Sequence, residues 1–441
     1  MDMLSKIQAA WRRKLVSMIV SCLGFLFCLL VSELSLADPP VFPAGMDLYF
    51  GLVPNAATST ASTLSPVLMD MITIQGRAAN LVGLADSASS GRVGAVDIAE
   101  RPLLRPAEAL EAVPGLLITQ HSGDGKANQY FTRGFNLDHG TDFAFSVNGI
   151  PVNEPTNAHG QGYSDLNFLI PELVKSLTYT KGPFDVEAGD FATAGSANVS
   201  YADTLNRYIS ELTMGEFGYQ RAVAAFPMAL LGGNIYYALE IAAYDGPWTV
   251  PEGFKKYNGY IRYSRGAADD HMTLGLSSYE ASWKATNQMP SDAISQGLIN
   301  EYGNLSPTDG GDRDRDFLSA TWTGKTQKGE TDALAYLGTS HLDLWNDFTF
   351  YLPYQAAGPQ LDEGLAQDQF AAPGETNGNQ FHQEDNRTRE GATLRYKFAA
   401  KMGRFPTQNE AGLDFRNDNI IVGLYNTDQD VTYETDSLNH V

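Results

Sequence analysis

Cysteine is almost missing: the 441 residues hold two, Cys22 and Cys28, both in an apolar N-terminal stretch. A disulfide framework or a cysteine-based zinc site in the rest of the chain is thereby excluded. Positive charge is scarce as well, with 30 Lys and Arg against 52 Asp and Glu and a formal net charge of -22. An acidic balance this strong repels phosphates, so no nucleic-acid partner is expected. Catalytic signatures are also lacking: no His-Glu-x-x-His, no Gly-x-Ser-x-Gly and no lysine-type phosphate loop occurs. No enzyme chemistry and no resident cofactor are expected.

What is present begins with a leader. Lys6, Arg12, Arg13 and Lys14 precede the apolar run Leu15–Val31, and Ser35-Leu36-Ala37 offers small residues at a cleavage site. Residues 1–37 read as a secretory signal peptide. An uncleaved anchor is the alternative, since the run sits at the short limit of the roughly 17–25 residues a spanning helix needs. Residues 38–79, rich in Pro, Ala, Ser and Thr around the leader junction, read as a flexible tail. Within it, Ile72-Thr73-Ile74-Gln75-Gly76 is a short β-prone patch that on its own could be any edge strand.

Residues 80–205 read as a small α+β domain. Pro102 to Gly115 carries helix punctuation: Pro106 suits a first helical position, Glu108 and Glu111 suit the N-terminal dipole end, and Pro114-Gly115 stops it. Leu110 and Val113 are expected to face the core. Strand-like runs follow at 116–119, 129–132, 143–147 and 176–180, and Asn148-Gly149 before Ile150-Pro151 marks a turn.

Taken together, the helix followed by PGLLIT, YFTRGF, SVNGIPVN, LVKSLTYTKGP and AGDFATAGSANVS resembles the plug domain of TonB-dependent outer-membrane receptors. The resemblance covers about residues 70–205. Arg133-Gly134-Phe135 matches the family's Arg-Gly-Phe, Asn148-Gly149 with Pro151 its turn, and Lys181-Gly182-Pro183 stands where Arg-Gly-Pro is usual. Two departures are visible: Lys175, Ser176 and Thr178 replace a charged stretch, and Gly195-Ser196-Ala197-Asn198 replaces a Gly-Gly pair. The resemblance implies that Ile72–Gly76 is a TonB box, which would pair by β-augmentation with a TonB-type energy-transducing protein. It also implies the outer membrane of a Gram-negative-type cell as location.

Residues 206–441 alternate. Ile235, Tyr237, Leu239, Ile241 and Ala243 interleave with Asn234, Tyr236, Ala238, Glu240 and Ala242. Met272, Leu274 and Leu276, then Leu318, Ala320 and Trp322, then Leu394, Tyr396 and Phe398 repeat the pattern. One apolar and one polar face per strand suits outer-membrane lipid outside and a wet lumen inside. A secreted β-sandwich also alternates, but 284–316 and 346–390 read as long Gly/Asp/Asn-rich connections, which soluble domains rarely hold. The expected fold is a membrane β-barrel, incomplete at about ten antiparallel strands, with an N-terminal α+β plug domain. A plugged barrel of about 22 strands needs about 220 residues in strands alone, so the chain reads as a fragment or truncated product.

For ligand contact, the resemblance places the loop after Arg133 and the segment 151–163 at plug apices. Arg133, Asn136, Asp138, His139, Asp142, Asn157, His159, Gln161 and Tyr163 are the expected ligand-facing residues. Imidazole and carboxylate together suit a metal chelate, siderophore-like, or a comparable scarce nutrient. The bland reading is that His121, His139 and His159 bond to loops or wall, since no His-x3-His spacing occurs. Asp312, Asp314 and Asp316, alternating with Arg313 and Arg315, read as a solvated loop, with calcium binding as the lesser alternative. The function implied is energy-coupled uptake; an exported binding or signalling module that does not transport is the second reading, and a secreted β-rich enzyme a third.

Overall fold

The computed structural model describes residues 87–304, 306–347, 380–428 and 431–432. The signal peptide, the tail and the TonB-box expectation at Ile72–Gly76 lie outside the described residues.

The N-terminal domain opens with β1 (Ser90–Gly94) and the short α1 (Ala95–Ala99). Pro106–Ala112 forms a 3-10 helix, not an α-helix across 102–115. Its start is as expected: Glu108 Oε2 accepts from the Leu104 and Arg105 amides at 2.8 and 3.1 Å. Its length is cut because Arg105 and Val113 are both extended and Glu111 turns back to accept the Ile118 amide, tying the last turn to the next strand. Leu110 and Val113 are buried.

β2 (Leu116–Thr119), β3 (Gln129–Thr132) and β4 (Phe135–Asn136) make a small antiparallel sheet. β5 (Phe143–Val147), β6 (Ile150–Pro151), β7 (Val174–Lys181) and β8 (Gly195–Tyr201) join β1 in the order β1-β7-β8-β5-β6, with β5 and β8 parallel. The β5–β6 turn places Asn148 at φ 52 and Gly149 at φ 80, the left-handed pair that a two-residue hairpin demands.

The second part is one antiparallel meander: β9 (Ile209–Met214), β10 (Gln220–Leu230), β11 (Gly233–Tyr244), β12 (Phe254–Ala267), β13 (Asp270–Lys284), β14 (Gly310–Thr326), β15 (Gly329–Asp347), β16 (Gln380–Met402), β17 (Phe405–Asp428) and β18 (Val431–Thr432). Each strand pairs with its neighbours in sequence, and among the described residues the sheet is not closed. The strands lengthen along the chain, reaching 23 residues in β16 and 24 in β17. About 9–11 cross a membrane, so the later strands project well beyond one.

Period two holds along the wall. In β11, Tyr236, Ala238, Glu240 and Ala242 are buried while Leu239 and Ile241 are exposed. Met272, Leu274, Leu276, Leu318, Trp322, Leu337 and Leu394 are exposed in the same way. The buried rows do not meet another layer of the same meander; they meet the N-terminal domain. Tyr236, Ala238, Tyr260, Tyr279 and Leu342 share one core cluster with Leu110, Phe143, Leu166 and Val199 of the N-terminal domain. Apolar residues thus face outward because the inner side is already filled by a folded domain, the reverse of a sandwich.

Two expectations about loops need correction. The segment Asp312–Asp316 is not a loop but the start of β14, and the long connection shrinks to 285–309, holding α2 (Ser291–Ser295). Likewise β15 runs to Asp347 and β16 starts at Gln380. Charged residues alternate there because the strands extend past the apolar belt, and polarity was mistaken for irregularity. Short turns at 231–232, 268–269, 327–328 and 403–404 gather at one end of the sheet, and the long connections at the other.

Candidate functional site

Three loops of the N-terminal domain meet at the long-connection end of the wall. One follows β2 and carries His121 and Lys126; one follows β4 and carries Asp138 and His139; the third, 153–163, carries Asn157, His159 and Tyr163. Gly140 makes their approach possible: at φ +123 its missing Cβ would lie 2.7 Å from the Gly162 carbonyl. The rings of His121 and His139 then stand 5.3 Å apart, and those of His139 and His159 4.6 Å apart, with Tyr163 at 5.7 and 5.6 Å from the latter two.

Their hydrogen bonds fix the tautomers. His139 Nδ1 donates to the Ala127 and Asn128 carbonyls at 3.0 and 2.9 Å. His159 Nδ1 donates to Gln383 Oε1 of β16 at 2.8 Å. Ser122 Oγ spends its proton on Asn287 Oδ1 at 2.6 Å, so His121 Nδ1 must donate to Ser122. Each imidazole therefore carries its proton on Nδ1 and turns Nε2, the lone-pair nitrogen, elsewhere.

Burial keeps all three neutral. It pulls His121 down to about 4, with Lys126 adding repulsion, and His159 down to about 3. His139 is depressed by burial first and then by His159, Lys126 and His121. Lys126 is itself wholly buried and is lowered by that burial to about 7, against the pull of Asp138 and Asp309.

Below this cluster, the domain is seated by buried charges. Glu154 accepts from Arg313 Nη2 of β14 at 2.6 Å and lies 3.5 Å from Arg389 Nη2 of β16. Burial alone would raise Glu154, and Arg313, Arg387 and Arg389 outweigh it, so its pKa falls. Asp165 stands 3.5 Å from Arg313 Nε. Glu172 receives Arg221 of β10 bidentately at 2.6 and 3.0 Å, and Arg221 also reaches Glu240 at 2.7 Å. Arg389, Arg387 and Arg416 donate to the carbonyls of Pro151, Pro155 and Asn153 at 2.9, 2.8 and 3.0 Å.

The expected ligand residues divide. Asp138, His139, Asn157, His159 and Tyr163 are brought together, though His139, Asn157 and Tyr163 are buried. Asn157 Nδ2 donates to Glu154 and Asp385 at 3.0 and 3.3 Å, and Tyr163 Oη accepts the Ala127 amide at 3.1 Å. Arg133 is exposed in the β3–β4 turn, at the far end of β3 from Asn128. Asn136 Oδ1 accepts from the Asp138 amide at 2.8 Å and Gln161 Oε1 from the Thr156 amide at 2.9 Å, so these two brace their own loops, while Asp142 Oδ1 accepts from Thr193 at 2.5 Å and ties its loop to the segment before β8. Lys126, Glu154, Asp165, Glu172 and the inward arginines were not anticipated. The signal was there in Arg313-x-Arg315 and Arg387-x-Arg389, since a spacing of two puts both on one strand face.

The comparisons decide the domain's identity. The family model for the TonB-dependent receptor plug domain matches residues 84–196. In sequence the domain matches that plug family. Together with the strand wall around it, the described chain has the fold of the plug and an open part of the barrel of a TonB-dependent receptor. Solved structures agree in fold: the unliganded ferric citrate transporter FecA (TM-score 0.60, 12% identity over 79% of this chain and 50% of that one); the siderophore receptor PiuA from Acinetobacter baumannii (0.58, 14%, 79% and 48%); and the copper transporter OprC (0.53, 15%, 81% and 49%). The chain spans about half the length of these proteins.

Proposed function

We propose that the protein acts as an outer-membrane receptor for energy-coupled uptake of a metal chelate. The observation that carries this reading is the cluster of neutral imidazoles, Asp138 and buried Lys126 on the plug, at the long-connection end of the wall. Such a set suits an anionic chelate or a metal it carries: Lys126 takes up its proton as negative charge arrives, and Nε2 atoms offer soft lone pairs. FecA, a ferric citrate transporter, PiuA, a siderophore receptor, and OprC, a copper transporter, support a metal-linked cargo. Asp138, His139, His159 and Lys126 are the residues we assign to ligand recognition, with Asn136, Asp142, Asn157, Gln161 and Tyr163 as further contacts or braces; Arg133, beyond the far end of β3, is set apart from them.

Nanomolar capture is worth about 12 kcal/mol, so release into the periplasm requires work. In this reading a TonB-type protein grips Ile72–Gly76 and pulls. β1 is the edge strand of the plug's main sheet and the first described element after that segment, so tension loads it first.

The test expresses the chain, with and without residues 71–76, in a Gram-negative host stripped of its own iron receptors. Accumulation of radioactive iron supplied as citrate and as a hydroxamate chelate is then measured. Uptake that depends on residues 71–76, with surface binding retained in the deletion, supports the proposal; uptake indifferent to the deletion refutes it. The second reading, an exported binding or signalling module, is favoured by the open sheet among the described residues. Its mark is surface binding with no accumulation in either strain.

A further inference from the structure

A second group of histidines lies on the opposite side of the wall from the plug. His341 and Asp343 of β15, Asp312 of β14 and His382 of β16 all sit on the outward face, in the part of the strands beyond Leu318 and Leu337 toward the long connections. The register makes them neighbours: Asp312 is paired with Asp343, and Asp343 with Glu384. His341, Asp343 and Asp312 each bring one ligand atom within 4.8 Å of the others. Asp343 also lies against both rings, its Oδ2 2.9 Å from His341 Nε2 and its Oδ1 2.7 Å from His382 Nε2.

The surrounding bonds settle the state of His341. Asn386 Nδ2 donates to Glu384 Oε1 at 2.6 Å, so its Oδ1 faces His341 and accepts the Nδ1 proton at 2.7 Å. With Nδ1 committed, the neutral ring points the Nε2 lone pair straight at a carboxylate oxygen. Two lone pairs 2.9 Å apart repel, and only a cation between them, a proton or a metal ion, relieves it. Asn386 here does what second-shell partners of metal-bound imidazoles do, fixing tautomer and ring plane. His382 is held as firmly, stacked on Trp345 at 4.5 Å and 6° and facing Tyr425 at 5.6 Å. Asp312 and Trp345 also line an open cavity of about 320 Å³, which gives an ion a way in.

We infer that Asp312, His341 and Asp343 form a binding site for a first-row divalent transition cation, of the zinc class, on the outer wall, with His382 bracing Asp343. One imidazole and two carboxylates are a donor set such ions take, and harder magnesium or calcium would forgo the imidazole. The ion would staple β14 and β15 where they project past the apolar belt. This site is separate from the plug cluster and does not depend on the uptake reading.

Titration of the full chain in detergent with Zn2+, and with Cu2+ followed by electron paramagnetic resonance, tests it. The expected result is one tight equivalent, nitrogen splitting from one imidazole, and Mg2+ failing to compete. His341→Gln or Asp312→Asn should weaken Zn2+ at least tenfold, and His341→Gln should remove the nitrogen splitting from the Cu2+ spectrum. Asn386→Leu should weaken it about 10- to 100-fold, whereas His139→Gln on the plug should change nothing. Wild-type chain that takes up no equivalent, or His341→Gln and Asp312→Asn that bind as wild type does, would overturn the assignment. Because these side chains face outward, all variants should keep the metal-free melting temperature; if one unfolds, the copper spectrum of the other decides.

Discussion

Arg313 of the wall and Glu154 of the plug meet at 2.6 Å with both side chains 3% exposed, joining residues 159 positions apart. A buried pair of this kind adds little over a well-packed apolar pair, but losing one member strands a charge. Glu154→Leu alone should therefore destabilise the plug–wall assembly by roughly 3–5 kcal/mol. The double variant Glu154→Leu/Arg313→Met should recover only part of that, because Asp165 then loses Arg313 and Arg389 loses Glu154, and denaturant midpoints with protease release of the plug will show it.

The plug histidines set a pH response whose sign follows from their direction. His121 is lowered from 6.5 to about 4 and His159 to about 3, mainly by burial. Below the unfolded value the unfolded chain binds protons that the fold refuses, so stability is full above about 6.5 and drains as pH falls toward about 4. Lys126, lowered from 10.5 to about 7 by burial, acts in the same sense at higher pH, with stability falling as pH drops from 10.5 to about 7. Thermal melts between pH 7 and 5 should slope downward, and His121→Gln/His159→Gln should flatten that slope.

Gly140 predicts a backbone effect. At φ +123 with the Gly162 carbonyl 2.7 Å from a would-be Cβ, Gly140→Ala is both strained and crowded. A cost of about 1–3 kcal/mol is expected, accompanied by loosening of the 153–163 loop. Hydrogen exchange of the His159 and Tyr163 amides is the direct readout.

The outward rows predict lipid contact. Leu318→Arg, near the middle of β14, should cost about 2–4 kcal/mol of stability in bilayers, while Leu318→Phe should be near neutral. Equal behaviour of the two in vesicle-based unfolding would mean that hydrocarbon does not cover this face.

Much of the fold was legible because it is local. β2, β3 and β5 occupy the expected residues, Asn148-Gly149 makes the expected turn, and the alternation around Leu239, Leu274 and Trp322 marks the wall. Each depends on neighbours in the chain: a turn on two φ angles, a strand face on every second side chain. The failures arose where one signal had two sources. Charge at Asp312–Asp316 resembled a loop because polar strand projecting beyond lipid and polar loop have the same composition. The segment at Pro106 had helical punctuation, but its hydrogen bonds to β2 left room for only a 3-10 turn.

From its own order of residues, then, this chain specified a small α+β domain followed by alternating strands, because hydrophobic period and turn chemistry act over a few positions. Which histidines meet, that Lys126 lies buried beside them, and that Glu154 seats on Arg313 were decided only in three dimensions. Those contacts join segments far apart in the chain, and their energies come from burial, which exists only once plug and wall enclose one another.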